Sequence, residues 1–268
     1  MAALQRIYAN DRLVYYRQAA DAQHWDAVWK SQDTQRLFAE AANGELGYYN
    51  EIFPRHLPKT GKILEAGCGL GQFVIALRQR GYDAEGVDYA EETIRFLNQR
   101  FPNQPFRVAD VTAMDVPDGY YRAYISLGVM EHLQEGPQQF LQETYRILSP
   151  GGVACISVPY LNFLRRLKAR LGLYGRPGSD TLPFYQFAYS AKEFTHILER
   201  HGFEVLARYQ YGGYKGVKDE LPWLSKVFAW PQGWRLQKWL MNSKWVNAHN
   251  GHMMMYVARK PDKKEAAH

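Results

Sequence analysis

Three acidic residues, each at the end of a short apolar run, are the first candidates for binding a polar ligand. Glu65, Asp88 and Asp110 each follow residues typical of a buried strand. Glycines occupy alternate positions within 67–71, directly after the first acid, and an apolar helix pattern begins at Gln72. Glycine tolerates positive φ and lets a ligand lie against the backbone, and carboxylates accept hydrogen bonds from hydroxyl and ammonium groups. The pattern therefore indicates a ligand-binding loop at a helix N-terminus.

The elements that must position these residues alternate between strand and helix. The apolar runs predict strands at 62–66, 84–87, 106–109, 122–127, 153–158, 203–211 and 253–258. Helix patterns with Gly or Pro stops predict helices at 72–80, 91–101, 137–148 and 190–201. Continuous apolar strands separated by helices are typical of a doubly wound α/β protein with a mostly parallel sheet. Ligands bind such sheets at the C-terminal ends of the strands, where the three acids fall.

Three regions precede or interrupt this alternation. Residues 1–60 have a polar and aromatic pattern that predicts an N-terminal helical segment, a candidate lid over the glycine loop. Residues 61–268 form the predicted ligand-binding domain, with insertions at 160–190 and 212–250. Within the first region, Trp25 and Trp29 lie one helical turn apart and are expected to share a helix face.

The spacing from Gly67 to Asp88 suits a carboxylate that accepts hydrogen bonds from the hydroxyls of a ribose. It does not show which nucleotide is bound. A site for a nicotinamide dinucleotide requires a third small residue, three positions after its second glycine. That position is Gln72 or Val74, depending on which glycines are taken as the first pair. An acid at the loop's entrance, Glu65, matches a cationic ligand end better than a pyrophosphate. A nicotinamide-dependent oxidoreductase is therefore the less favoured interpretation.

Composition limits the classes of protein to which the chain can belong. The chain has 268 residues, 46% of them hydrophobic, a formal charge of +6 and only two cysteines, Cys68 and Cys155. The cysteines lack metal-ligand spacing and indicate a reducing compartment. We find no apolar run long enough for a signal peptide or a membrane span, so we predict a cytoplasmic protein.

Five ordered segments resemble the class I S-adenosylmethionine-dependent methyltransferases. They are 65–71 (EAGCGLG), 86–90 (GVDYA), 108–111 (VADV), 126–133 (SLGVMEHL) and 148–152 (LSPGG). The resemblance covers residues 62–160 well and 190–260 moderately. It implies a seven-stranded Rossmann-like methyltransferase fold, S-adenosylmethionine as cofactor and methyl transfer as the reaction.

The resemblance also implies roles for individual residues. Those around the methionine portion would be Glu65, Gly67, Cys68, Gly69 and the Leu127 carbonyl. Those around the nucleoside would be Asp88 on the ribose hydroxyls, and Tyr89, Asp110 and Val111 at the adenine.

His132 directly follows the fourth predicted strand and is the candidate catalytic base. A hydroxyl acceptor must lose its proton, and histidine is the side chain whose pKa suits that transfer. Some quinone-pathway O-methyltransferases of this superfamily bind a metal through E-x-x-E-H, but the first position of that motif here is Gly128. We therefore predict O-methylation without a metal.

The acceptor is least determined by the sequence. We expect a small-molecule, sugar or lipid-linked acceptor, contacted by Trp25, Trp29, Tyr160, Tyr185 and Tyr189. The basic segment 162–171 and the Trp-rich segment 212–250 are also typical of contact with an anionic membrane surface. An RNA or tRNA methyltransferase of the same fold is the alternative, although no RNA-binding module is recognisable and nucleic acid is disfavoured. The oligomeric state is left open.

Overall fold

A seven-stranded mixed sheet forms the centre of the protein. The computed structural model describes residues 4–17, 20–178 and 181–262. The sheet strands are β3 (Ile63–Ala66), β4 (Ala84–Asp88), β5 (Phe106–Val108), β6 (Tyr121–Leu127), β7 (Leu148–Pro159), β9 (Glu204–Tyr211) and β10 (Met253–Arg259). Their spatial order is β5-β4-β3-β6-β7-β10-β9, with β10 antiparallel to both neighbours and the other pairs parallel. The predicted doubly wound α/β fold is confirmed.

Helices cover both faces of the sheet. Those of the regular alternation are α4 (Gln72–Gln79), α5 (Glu91–Arg100), α6 (Gln138–Ile147) and α8 (Ala191–Arg200). The strands between them are apolar on both faces, and β3 is buried along its whole length. Two apolar clusters result, one on each face, with Leu64 in the first and Ile63 in the second. Adjacent residues of a strand point to opposite faces, so a single strand contributes to both clusters.

The N-terminal segment is not wholly helical, which corrects the prediction for residues 1–60. It begins with a hairpin of β1 (Gln5–Ala9) and β2 (Arg12–Tyr16). Asn10 and Asp11 connect the two strands with φ of 51° and 59°, a conformation that Asn and Asp tolerate in tight hairpin turns. The helices α1 (Ala22–Lys30), α2 (Thr34–Ala42) and α3 (Ile52–His56) follow.

The first insertion completes a second, three-stranded sheet. Helix α7 (Phe163–Arg170) is followed by β8 (Phe184–Ala188), which pairs antiparallel with β2. This pairing was not apparent from the sequence because β2 and β8 lie far apart in the chain. Long-range pairing of this kind leaves no local periodicity by which either strand identifies its partner.

The second insertion is a group of four helices between β9 and β10. They are α9 (Gly213–Glu220), α10 (Leu224–Phe228), α11 (Gly233–Asn242) and α12 (Lys244–Asn250). They enclose a small apolar cluster of Val217, Leu224, Leu240 and Val246. No helix in the described part of the chain is long and apolar enough to cross a membrane.

A buried ion cluster joins this insertion to α7 and the N-terminal hairpin. The Glu220 carboxylate accepts from Arg6 at 2.6 Å, Arg165 at 3.3 Å, Lys168 at 3.0 Å and the Tyr174 hydroxyl at 2.8 Å. Burial alone would raise the pKa of Glu220, but these cations and hydrogen bonds hold it below its ordinary value. Not every cation of the basic segment 162–171 is therefore available to a membrane surface, because Arg165 of α7 is buried against Glu220.

Candidate active site

A cavity of about 530 Å³ opens at the C-terminal ends of β3, β4 and β6. This is the size of a small-molecule site. Its lining residues are Ala20, Trp25, Trp29, Glu65, Gly67, Cys68, Gln72, Phe73, Asp88, Tyr89, Asp110, Val111, Thr112, Leu127, Gly128, Val129, His132, Leu133, Gln139 and Phe140. Segments far apart in the chain therefore meet at this cavity, as the positions of the acids at the strand ends predict.

The glycine loop between β3 and α4 needs glycine for two reasons. Gly67 and Gly69 have φ of 77° and 50°, a region that other residues rarely adopt. Space is also lacking: a Cβ on Gly67 would lie 2.4 Å from a methyl of Val129, and one on Gly69 would lie 2.6 Å from the Trp29 ring. The loop backbone thus forms part of the cavity wall, within reach of a ligand.

Glu65 contributes a buried carboxylate with unused hydrogen-bonding capacity. The side chain lines the cavity, and its Oε2 has no hydrogen-bond partner within the described residues. Burial raises the pKa of Glu65 well above its ordinary value, although the backbone N–H of Val74 partly offsets this. A buried acceptor of this kind is stabilised by a cationic donor. The amino group of a methionine portion fits that requirement.

Asp88 is held in place by the loop that it faces. Its Oδ2 accepts the backbone N–H of Gly69 at 2.8 Å, and its Oδ1 accepts that of Ala90 at 3.0 Å. Each carboxylate oxygen can accept more than one hydrogen bond, so the group retains capacity for ligand hydroxyls. Burial raises the pKa of Asp88, and the backbone hydrogen bonds lower it again in part.

Asp110 and Val111 lie next to Asp88 at the following strand end. The Asp110 Oδ1 accepts the backbone N–H of Thr112 at 2.8 Å and its hydroxyl at 2.7 Å. These bonds fix the turn, so that Asp110, Val111 and Thr112 all line the cavity. The structure therefore brings together at one cavity eight of the nine residues predicted to bind the cofactor. The ninth, Gly69, binds Asp88 through its backbone.

His132 lines the same cavity, in a short 3₁₀ turn after β6. Its Nδ1–H donates to the backbone carbonyl of Tyr185 at 2.8 Å, which leaves the lone pair on Nε2. Its ring contacts those of Trp25 and Tyr185 edge to face, with centroids 5.1 Å and 5.0 Å away. Burial lowers the pKa of His132 to about 4, so the imidazole is neutral at pH 7.

Glu131, the neighbour of His132, is a buried carboxyl rather than a counter-ion. Burial raises the pKa of Glu131 to about 8, and its Oε1 lies 3.9 Å from the His132 Nε2. This distance is too long for a hydrogen bond. Within the described residues, no group of three or more His, Cys, Asp or Glu side chains is arranged to hold a metal ion.

Helix α1 lies over the cavity and is tied to the sheet domain by a side-chain cap. Asp26 accepts the backbone N–H of Thr93 at 2.9 Å and its hydroxyl at 2.6 Å, at the start of α5. The rings of Trp25 and Trp29 stack with their centroids 5.8 Å apart, on the face of α1 that lines the cavity. The predicted shared face of the two tryptophans is present, and we propose that α1 is a lid.

Removing the cap with Asp26→Ala is expected to loosen α1. A lost cap of this type costs about 1 kcal/mol, so the amides of α1 should exchange with deuterium about five times faster. Asp26→Asn keeps an acceptor oxygen and is the matched control. Equal exchange rates in wild type and Asp26→Ala would show that the cap does not hold the helix.

Of the five residues predicted to contact the acceptor, three are not among the lining residues of the cavity. Tyr160 and Tyr189 belong to the hydrophobic core, where they pair through an isolated parallel bridge, and the Tyr189 ring packs against Phe187 and Phe194. Tyr185 lies against His132 and orients it, but it is not among the lining residues of the cavity. An aromatic residue that lines a core and one that lines a pocket have the same local sequence pattern, so the tertiary structure decides.

Several lining residues were not predicted. Gln72 and Phe73 begin α4, and their position directly after the glycine loop was a usable signal. Gln139 and Phe140 lie in the first turn of α6 and reach the cavity because of how α6 packs. No local motif marks the second pair.

The fold and the site together define a class: a Rossmann-like methyltransferase that uses S-adenosylmethionine. The chain belongs to the family described as "Methyltransferase domain", whose model matches residues 35–208. S-adenosylmethionine is accordingly its cofactor, and the unpartnered Glu65 oxygen, the glycine loop and Asp88 fit that molecule. The recognition, enzyme class and cofactor inferred from the sequence motifs are confirmed.

Known proteins similar to this chain include two curated relatives and a solved structure. A protein of Mycolicibacterium smegmatis named "Probable S-adenosylmethionine-dependent methyltransferase" is 33% identical over 145 residues, 53% of this chain and 52% of that protein. The mitochondrial ubiquinone biosynthesis O-methyltransferase of Dictyostelium discoideum is 30% identical over 146 residues, 47% and 45% of the two chains. The chain thus spans about half the length of these relatives.

The solved structure supports the fold alone. It is a TehB-like methyltransferase from Corynebacterium glutamicum that is 19% identical, with a TM-score of 0.53, covering 90% of this chain and all of that one. The match extends over most of the chain, although the sequence identity is low.

Proposed function

We propose that this protein methylates a hydroxyl oxygen of a small-molecule, sugar or lipid-linked acceptor, with His132 as the base. The observation that carries the proposal is the hydrogen bond from His132 Nδ1–H to the Tyr185 carbonyl. This bond selects the tautomer in which Nε2 can accept a proton, on a side chain that lines the cavity. The name of the Dictyostelium relative, an O-methyltransferase, agrees with transfer to oxygen.

The remaining groups bind and orient rather than react. Glu65 would hold the cationic amino group of the cofactor, and Asp88 would hold its ribose hydroxyls. Asp110 and Val111 would lie at the adenine. S-adenosylmethionine, when bound, supplies a methyl group already activated on a positively charged sulfur, so positioning and exclusion of water are the main tasks left to the protein.

A neutral His132 with a low pKa is adequate for this chemistry. The acceptor O–H becomes a much stronger acid as its oxygen forms the new bond to carbon, so a weak base can remove the proton late in the reaction. A low pKa also ensures that the imidazole has its lone pair at neutral pH. Burial among the rings of Trp25 and Tyr185 lowers the pKa of His132 and so keeps its lone pair available.

The acceptor space is aromatic and largely apolar. Trp25 and Trp29 lie on the lid side of the cavity, with Leu133 and Phe140 among its other lining residues. Such a wall suits an acceptor with an apolar part beside its hydroxyl. This favours a small or lipid-linked molecule over an RNA base, which would need a basic groove leading to the cavity.

Calorimetry and product analysis test the proposal in two steps. We expect S-adenosylhomocysteine to bind and NAD not to bind. Incubation with methyl-labelled S-adenosylmethionine and fractionated cell extract should then label a small or lipid-extractable product whose methyl group is bonded to oxygen. Label found in RNA, or on nitrogen or carbon, would contradict the proposed acceptor while leaving the methyltransferase class intact.

A further inference from the structure

The segment from 221 to 250 has an unusual composition. It contains five of the seven tryptophans of the chain, four lysines or arginines, and no aspartate or glutamate. Its tryptophans are Trp223, Trp230, Trp234, Trp239 and Trp245, and its basic residues are Lys226, Arg235, Lys238 and Lys244. The other two tryptophans, Trp25 and Trp29, line the cavity, so the function proposed above does not account for this segment.

The tryptophans of this segment are exposed. Their exposed fractions lie between 55% for Trp234 and 70% for Trp230. Leu236 and Met241 in the same helical group are exposed as well. A concentration of large apolar side chains at a protein surface is typical of an interaction site.

The segment is nevertheless folded. Leu224 of α10, Leu240 of α11 and Val246 of α12 are buried together, against α9. The exposed rings therefore form the outer face of a packed helical group. The Glu220 ion cluster ties α9, against which these helices pack, to α7 and β1.

Basic and aromatic side chains lie next to each other on α11. Trp234, Arg235, Lys238 and Trp239 of α11 line one surface groove, and the Arg235 guanidinium lies 5.6 Å from the Trp234 ring centroid. All four basic residues of the segment are exposed. Within the part of the chain that the structure describes, none of them forms an ion pair with a carboxylate of this protein.

We propose that the outer face of 221–250 docks on the surface of an anionic lipid bilayer. Tryptophan rings are amphipathic and favour the headgroup level, and lysine and arginine bind anionic headgroups. The exposed Leu236 and Met241 suit an acyl boundary and have no role in stacking nucleic-acid bases. A symmetric contact with a second copy would bring the basic residues of both copies together with no acid in either segment.

The helical group that carries the docking face and the cavity lie at the same edge of the main sheet. The helical group leaves the sheet at Tyr211 and returns at Met253, which pairs with Pro159 at the C-terminal end of β7. The methyl end of Met253 lies 3.7 Å from where a Cβ would sit on Gly128, a lining residue of the cavity. Docking would therefore bring this edge of the protein toward the membrane. Such docking does not depend on which acceptor the cavity binds.

Co-sedimentation with vesicles tests the proposal on the full-length protein. Vesicles of phosphatidylcholine with about one third phosphatidylglycerol should bind the protein, and the bound fraction should fall as salt is raised. Vesicles of phosphatidylcholine alone should bind far less. Tryptophan emission should shift to shorter wavelength on binding, because five of the seven rings lie on the proposed face.

Charge reversal distinguishes this face from a general effect of net charge. The variant K226E/R235E/K238E/K244E should lower the partition onto anionic vesicles at least about 100-fold. The matched control R55E/R95E/K192E/R200E changes the net charge equally at exposed positions elsewhere and should retain most of the binding. Circular dichroism and binding of S-adenosylhomocysteine confirm that both variants are folded.

Three results would overturn the proposal. They are absence of binding to anionic vesicles, equal loss of binding in the two quadruple variants, and failure of the tryptophan emission to respond to vesicles. A dimer or an RNA complex that forms without vesicle binding, and that the first variant alone abolishes, would assign the face to that partner instead.

Discussion

Replacing His132 with asparagine is expected to lower kcat by about 10²- to 10⁴-fold, the usual contribution of a positioned base. The asparagine amide can still donate to the Tyr185 carbonyl, as the His132 Nδ1–H does, so the local fold should be kept. What is lost is the proton-accepting Nε2. Steady-state methyl transfer to the acceptor, once identified, measures the effect.

The affinity for S-adenosylhomocysteine should change little in His132→Asn, because the residue acts on the acceptor. Tyr185→Phe is the control variant: it keeps the backbone carbonyl and the ring and should retain activity within a fewfold. Activity of His132→Asn above about one third of wild type would exclude a role as base and leave His132 as a packing residue.

The pH profile supplies a second readout. Because burial lowers the pKa of His132 to about 4, the imidazole is neutral throughout pH 6 to 8 and the rate should not vary with its protonation there. As the pH falls toward 4, the protonated imidazole loses its lone pair and the rate should fall. The residual activity of His132→Asn should lack this decrease, measured where circular dichroism shows the protein folded.

Asp88→Ala is expected to weaken binding of S-adenosylmethionine by at least tenfold, equivalent to 1.4 kcal/mol. Two effects add. The ribose hydroxyls lose a charged acceptor, a contact of about 1.5–3 kcal/mol, and the backbone N–H of Gly69 loses its partner in the loop that forms the cavity wall. Isothermal titration with S-adenosylhomocysteine measures the change.

The control for Asp88→Ala lies at the other end of the same strand. Asp83 precedes β4 and its side chain is 57% exposed, with carboxylate oxygens 3.8 Å from the Lys62 ammonium and 3.7 Å from the Arg78 guanidinium. Asp83→Ala should leave the affinity unchanged. Asp88→Asn keeps one acceptor oxygen and should fall between wild type and alanine. Unchanged affinity in Asp88→Ala would refute the ribose role.

Much of the sheet domain could be predicted because its signals are local. A continuous apolar run specifies a buried strand, a glycine at positive φ specifies a turn, and an acid at the strand end falls at the ligand edge. Glu65, Asp88 and Asp110 are therefore predicted at one edge of the sheet, and all three line the cavity there. The hairpin of residues 5–16 was not predicted, although its Asn10-Asp11 turn is a local signal. Its pairing with β8 joins segments far apart in the chain and has no local signal.

The sequence by itself determined the α/β class, the glycine loop and the three strand-end acids, because each depends on neighbouring residues and on the regular geometry of strands and helices. Only the tertiary structure decided which aromatics face the ligand. Tyr160 and Tyr189 are in the core while Trp25 and Trp29 line the cavity. An aromatic ring gains similar free energy in a core or over a ligand. Its location is thus set by how distant elements pack.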